Sequence, residues 1–130
     1  MSAGSRWATS RTPLFVLTVA VQLVVLYWPR PVSTGTSLPV DKLVHAAVFG
    51  AVLWAGARAG VAVRPLAAVL AVHAGLSEVV QGTLLDRDGN VPDALADLTG
   101  LLLAGLALRR WPAAGDGPAT PADRGAADRE

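Results

Sequence analysis

The stretch that decides the fold is EVVQGTLLDRDGNVPDALADLTGLLLAG, residues 78–105. It places polar groups inside long apolar runs: Glu78 with Gln81, a short loop rich in Asp and Gly, and then Asp93 with Asp97. Ionisable side chains at membrane depth are costly, so they usually pair with one another or serve a function. These residues are therefore the first candidates for a functional site.

The composition around this stretch is that of a membrane protein. The 130 residues are 52% hydrophobic and 16% charged, against about 25% charged residues in a typical soluble domain. The charges are concentrated at the ends and in short loops, which indicates one polytopic helical unit. A net charge of +1 without a basic cluster argues against nucleic-acid binding. The absence of cysteine excludes disulfide and thiol chemistry.

Four apolar segments predict an all-α integral membrane protein with four helices. The spans are expected at about residues 13–29, 43–57, 65–84 and 93–108. A cleaved signal peptide is the alternative for the first segment, but Pro29-Arg30-Pro31 follows it instead of a small-x-small cleavage site. Residues 112–130 are rich in Pro, Ala, Gly, Asp and Arg without periodicity, which predicts a disordered tail.

The loop charges predict the orientation of these spans. With four spans, six basic residues fall on one side and three on the other. The positive-inside rule then places both termini, residues 1–12 and the tail, in the cytoplasm. The six are Arg6, Arg11, Arg58, Arg64, Arg109 and Arg110, and the three are Arg30, Lys42 and Arg87.

In this topology the polar residues converge at the extracytoplasmic ends of spans two, three and four. Asp41 and His45 are four residues apart, so they share a helix face. On span four, Asp93 and Asp97 continue into a stripe of small residues that lets helices approach closely, so Asp97 should face protein. That packing stripe consists of Ala96, Gly100 and Ala104. The predicted binding pocket consists of Asp41, Lys42, His45, Glu78, Gln81, Arg87, Asp93 and Asp97.

Three ordered motifs in this region resemble the VanZ-like family of small bacterial multi-pass membrane proteins. The chain shows Asp41-Lys42-x-x-His45, then Glu78-x-x-Gln81, then Arg87 followed by Asp93, Asp97 and Gly100. The family pattern is D-K-x-x-H, E-x-x-Q and R-x5-D-x3-N-x2-G, so this chain has Asp97 where the family usually has Asn. The resemblance implies that residues 13–111 form a VanZ-like transmembrane domain in the bacterial cytoplasmic membrane. It also implies a link to low-level teicoplanin resistance, known for the family's namesake.

Two functions fit this arrangement. In the first, the pocket binds or shields a cell-envelope component such as an envelope lipid, a lipid-linked wall precursor or a glycopeptide. Lys42 and Arg87 would hold its anionic groups. In the second, the protein is an enzyme acting on an envelope lipid or lipid-linked precursor by acid–base chemistry, with Glu78, His45 and Asp97 as the catalytic residues. We expect binding rather than catalysis.

Each polar residue also has a purely structural interpretation. Asp41 and Asp93 could cap their helices, and Glu78 and Gln81 could tie helices together. A third reading is a structural partner of other membrane proteins that uses the small-residue face of span four. No cofactor is expected. A metal site is not expected either, because the spacing of His45, Glu78 and Asp97 matches no recognised metal signature. The expected partner is the lipid bilayer, and the sequence is also compatible with association with a second copy of the chain.

Overall fold

The computed structural model describes residues 4–28, 40–85 and 91–111, with side chains from residue 11 onward. Within these ranges the chain forms four α-helices and no strand: α1 (Gly4–Tyr27), α2 (Val40–Arg58), α3 (Val63–Leu84) and α4 (Val91–Arg110). The predicted all-helical class is confirmed. The 29–39 loop, most of the 85–92 loop with Arg87, and the predicted disordered tail lie outside the described residues.

Three of the four helices are long and apolar enough to cross a membrane by length and composition. These are α2, α3 and α4, each 19 to 22 residues long. The apolar part of α1, Arg11–Tyr27, is shorter, although the whole helix has 24 residues and contains Pro13. It begins nine residues before the predicted span because the apolar run marks the lipid-compatible part of a helix and not the helix start.

The helices alternate in direction, and α2 and α4 make the most extensive contact. Their backbones approach most closely at Gly100, where an added Cβ would overlap the carbonyl group of Ala46. A Cβ on Gly50 would in turn lie 3.0 Å from the carbonyl oxygen of Gly100. Small residues at such crossings allow helices in a membrane to gain van der Waals contact. Gly100 therefore sets the distance between α2 and α4.

The core of the bundle is a modest apolar cluster. Its members come from all four helices and include Leu26, Phe49, Leu53, Leu70 and Leu101. Many other large apolar side chains remain exposed, among them Val69, Leu102 and Leu103, which are 60–64% exposed. A surface this apolar suits acyl chains rather than water. The apolar helices place the protein in a lipid bilayer.

The short connection between α2 and α3 is closed by a helix C-terminal motif. Gly60 has a φ of 91°, a left-handed conformation that glycine adopts without steric cost. The amide of Val61 donates to the carbonyl of Gly56, and the amide of Gly60 donates to that of Ala57. This is the Schellman arrangement, which satisfies the last carbonyl groups of α2. Pro65 lies in the first turn of α3, where a missing N–H is tolerated.

Candidate functional site

The polar residues of the three sequence motifs meet at one end of the bundle. The first turns of α2 and α4 lie side by side there, because the Lys42 Nζ is 3.0 Å from the Asp93 Oδ1. The C-terminal part of α3 reaches the same end, where a Glu78 carboxylate oxygen lies within 4.8 Å of ligand atoms of His45 and Asp97. We call these residues, with Asp41 and Gln81, the polar cluster.

The centre of the polar cluster is a buried pair between α2 and α4. The His45 Nδ1 and the Asp97 Oδ1 are 3.0 Å apart, and the side chains are 3% and 0% exposed. The charge pattern alone left three possible partners for Asp97, namely Arg87, Lys42 and His45. The backbones of α2 and α4 approach closely at Ala46 and Gly100. Because His45 adjoins Ala46 and Asp97 lies about one turn before Gly100, this approach brings their side chains together.

The Asp97 carboxylate is only partly satisfied. Its Oδ2 atom is buried and has no hydrogen-bond partner among the described residues. A buried polar group without a partner costs about 1–3 kcal/mol, and more when it is charged. This atom is therefore the most unusual feature of the cluster.

The second α2–α4 contact lies nearer the surface. The Asp93 side chain is 4% exposed and the Lys42 side chain is 45% exposed. The half-exposed lysine side chain therefore pairs with a nearly buried carboxylate. Asp41, one residue earlier, is exposed as well. Both aspartates lie in the first turn of their helices, where a carboxylate interacts favourably with the positive end of the helix dipole.

Helix α1 contributes to the same end of the molecule, which the sequence analysis did not foresee. The buried Gln81 side chain donates from Nε2 to the backbone carbonyl of Leu26 at 3.1 Å. Tyr27 forms a 2.9 Å hydrogen bond between its hydroxyl and the Nε2 of His73. Gln22 is also buried, at 2% exposure. Every residue has a backbone carbonyl, so the sequence cannot show which one accepts the Gln81 hydrogen bond. The polar Gln22 within an apolar segment was the one sequence feature that indicated a polar contact of α1.

The opposite end of the bundle carries basic residues and a groove. Arg58 donates from Nη2 to the carbonyl of Trp111 at 3.1 Å and lies over the Trp54 ring. A groove of about 590 Å³ opens beside it, lined mainly by leucines together with Arg64 and Arg109. None of the predicted pocket residues that the structure describes lines this groove. The two ends of the molecule therefore differ in chemistry.

The geometry allows three kinds of chemistry at the polar cluster. An imidazole and two carboxylates, from His45, Glu78 and Asp97, lie close enough for proton transfer or for shared coordination of a cation. A second set of possible ligands, Asp41, His45 and Asp93, lies nearer the surface. Lys42 offers an outward-facing cation for an anionic group. Arg87, the other predicted cation, is outside the described residues.

Comparisons with protein-family models, with curated proteins and with solved protein structures each found no match for this chain. The resemblance to the VanZ-like family stays a prediction that rests on the three motifs.

Proposed function

We propose that the chain is a VanZ-like multi-pass membrane protein with both termini in the cytoplasm. Its polar cluster would face the extracytoplasmic side, where it binds or shields a cell-envelope component and so modulates sensitivity to teicoplanin. The observation that carries this proposal is the convergence of three separate motifs at one end of the bundle. Residues from α2, α3 and α4 contribute to that convergence.

The distribution of charge supports the proposed orientation. Arg58, Arg64, Arg109 and Arg110 lie at the ends of α2, α3 and α4 that are opposite the polar cluster. Basic residues are enriched on the cytoplasmic side of membrane proteins. With that end in the cytoplasm, the polar cluster lies in the outer leaflet, next to lipid-linked precursors of the cell wall.

The exposure of the cluster residues supports binding at its rim. Lys42 is the exposed cation, and its partner Asp93 holds it in place by a charge-assisted contact. An ammonium group that is ordered but still open to one side suits a phosphate or carboxylate of an envelope component. The buried His45–Asp97 pair beneath it would keep the two helices that carry this rim in register.

The test is the response to teicoplanin of cells that carry variant proteins. Glu78→Gln removes a negative charge with little change in side-chain volume. We expect this variant to reach the membrane at normal levels and to lose the effect of the wild-type protein on teicoplanin sensitivity. Ser77→Ala is the matched control, because Ser77 is buried on α3 and its hydroxyl donates to the carbonyl of Ala74. Unchanged sensitivity for Glu78→Gln would refute the proposal.

Catalysis is the second candidate, and the proximity of His45, Glu78 and Asp97 favours it. A carboxylate oriented by a histidine can act as a general base. This function predicts a changed set of envelope lipids or wall precursors in cells that express the protein, seen by mass spectrometry and lost with Glu78→Gln. A binding or shielding protein leaves the chemical identity of those molecules unchanged.

A further inference from the structure

The feature that leads beyond the proposed function is the donor set at the centre of the polar cluster. His45 from α2, Glu78 from α3 and Asp97 from α4 each present one ligand atom, and the three atoms lie within 4.8 Å of one another. His45 and Asp97 are 2% and 0% exposed, and Glu78 is half-buried. Three helices thus aim nitrogen and oxygen donors at one point below the surface.

A second, independent observation points to a ligand at this position. The Asp97 Oδ2 atom is fully buried, lacks a hydrogen-bond donor among the described residues, and belongs to the carboxylate that faces the set. Lys42, which is the one lysine in the sequence, is already in contact with Asp93. A bound cation would compensate the buried Asp97 carboxylate, whose Oδ2 no described residue contacts as a donor.

We infer that His45, Glu78 and Asp97 bind a divalent transition-metal ion, with Zn²⁺ the best-fitting case. Zinc accepts histidine nitrogen and carboxylate oxygen, and sites with three protein ligands keep a fourth position for water or substrate. Bonds of about 2.0–2.2 Å in a tetrahedron set the ligand atoms about 3.4 Å apart. The three ligand atoms lie within 4.8 Å of one another, so their separations must shorten by at most about 1.4 Å to reach this spacing.

Metal binding and the observed His45–Asp97 hydrogen bond exclude one another. Ligands bind zinc in their deprotonated form. An ion bound through Nδ1 therefore replaces the hydrogen that His45 and Asp97 share. The sequence predicted no metal site, because the spacing of these three residues matches no recognised metal signature. The ligands are separated by 33 and 19 positions along the chain, so only the packing of three helices assembles them.

Metal binding by these three residues rests on the proposed function in one respect, because both require that the polar cluster bind a ligand and not only hold helices together. The open fourth position of the ion would receive an anionic oxygen of the envelope component. Lys42, at the rim, would then contact the same molecule from outside. The ion would bind whether or not that molecule is present, so metal binding and the cellular effect can be measured separately.

The test is zinc binding by the purified full chain in detergent after treatment with a chelator. Zn²⁺ alone is titrated by calorimetry, and metal retained after gel filtration is measured by mass spectrometry. We expect about one zinc ion per chain for the wild type. Asp97→Asn should lose affinity by at least about 100-fold, because loss of a residue that only supports a metal ligand already costs about 10–100-fold. His73→Gln is the matched control, because His73 lies on α3 outside the donor set and bonds to Tyr27. It should bind zinc as the wild type does.

The outcomes are decisive in both directions. Wild-type protein that binds no zinc, or Asp97→Asn protein that binds it equally well, overturns the inference. Where Asp97→Asn protein does not fold, by circular dichroism and gel filtration, Glu78→Gln decides, because Glu78 is only half-buried. If zinc binding is lost in Glu78→Gln but the wild-type protein has no effect on teicoplanin sensitivity, the metal site is supported and the proposed function is refuted. If the wild-type protein binds no zinc but does alter teicoplanin sensitivity, the metal site is refuted and the proposed function is supported.

Discussion

Replacement of Gly100 by alanine tests the packing that builds the polar cluster. An added Cβ would overlap the carbonyl oxygen of Ala46 and lie 2.7 and 2.8 Å from its carbonyl carbon and Cα. These are backbone atoms, which cannot rotate away as a side chain could. Because ordinary contact begins near 3.4 Å, α2 and α4 must separate by roughly 1 Å, which is the kind of overpacking that costs about 1–3 kcal/mol.

The same separation reaches the His45–Asp97 pair. His45 precedes Ala46, and Asp97 is about one turn before Gly100, so a shift of this size lengthens their 3.0 Å contact beyond hydrogen-bonding range. Loss of a buried hydrogen bond adds about 1–3 kcal/mol. The better helix propensity of alanine returns about 1 kcal/mol. The expected net loss in the free energy of unfolding is therefore about 1–5 kcal/mol.

The free energy of unfolding can be measured by steric trapping in detergent micelles, with thermal unfolding followed by circular dichroism as a second readout. Gly105→Ala is the matched control, because it is on the same helix and an added Cβ meets nothing within 4 Å. It should be neutral or stabilising by up to about 1 kcal/mol. If Gly100→Ala is as stable as Gly105→Ala, the close α2–α4 contact is wrong.

Three further substitutions probe other parts of the molecule. Replacing His45 by Ala should destabilise the fold by about 3–5 kcal/mol, because it leaves a buried carboxylate without its partner, and chemical denaturation will show whether the loss is that large. Lys42→Gln should cost less than about 1 kcal/mol because the ion pair is half-exposed, and a larger loss in the same assay would mean that this contact is buried. Gly60→Ala should cost about 1–2 kcal/mol in thermal unfolding because its φ of 91° strains any L side chain, and an unchanged midpoint would contradict the left-handed turn.

Much of the fold follows from local sequence patterns. The apolar runs between charged ends are long enough to mark helices, and the structure has a helix at each of the four predicted positions. Helical spacing also predicted that Asp97 faces protein, and its side chain is fully buried. These properties depend on residues that are near one another in the chain, so hydropathy and periodicity capture them.

The details of the polar cluster depend instead on how the helices cross. Sequence spacing could not choose among His45, Lys42 and Arg87 as the partner of Asp97, because that choice depends on the contact of Gly100 with Ala46. The bond from Gln81 to the carbonyl of Leu26 involves a backbone group that every residue possesses. Side-chain identities alone cannot encode either arrangement.

The proposed function requires that the polar cluster open to the extracytoplasmic side of the membrane. The chain contains no cysteine, so single cysteines can report this directly. Val91→Cys tests the cluster end, where the native side chain is 72% exposed, and Val61→Cys tests the opposite turn, where it is 37% exposed. In intact cells a membrane-impermeant maleimide should label the cysteine at position 91 and leave that at position 61 unlabelled until the cells are opened. Labelling at position 61 alone would contradict the account.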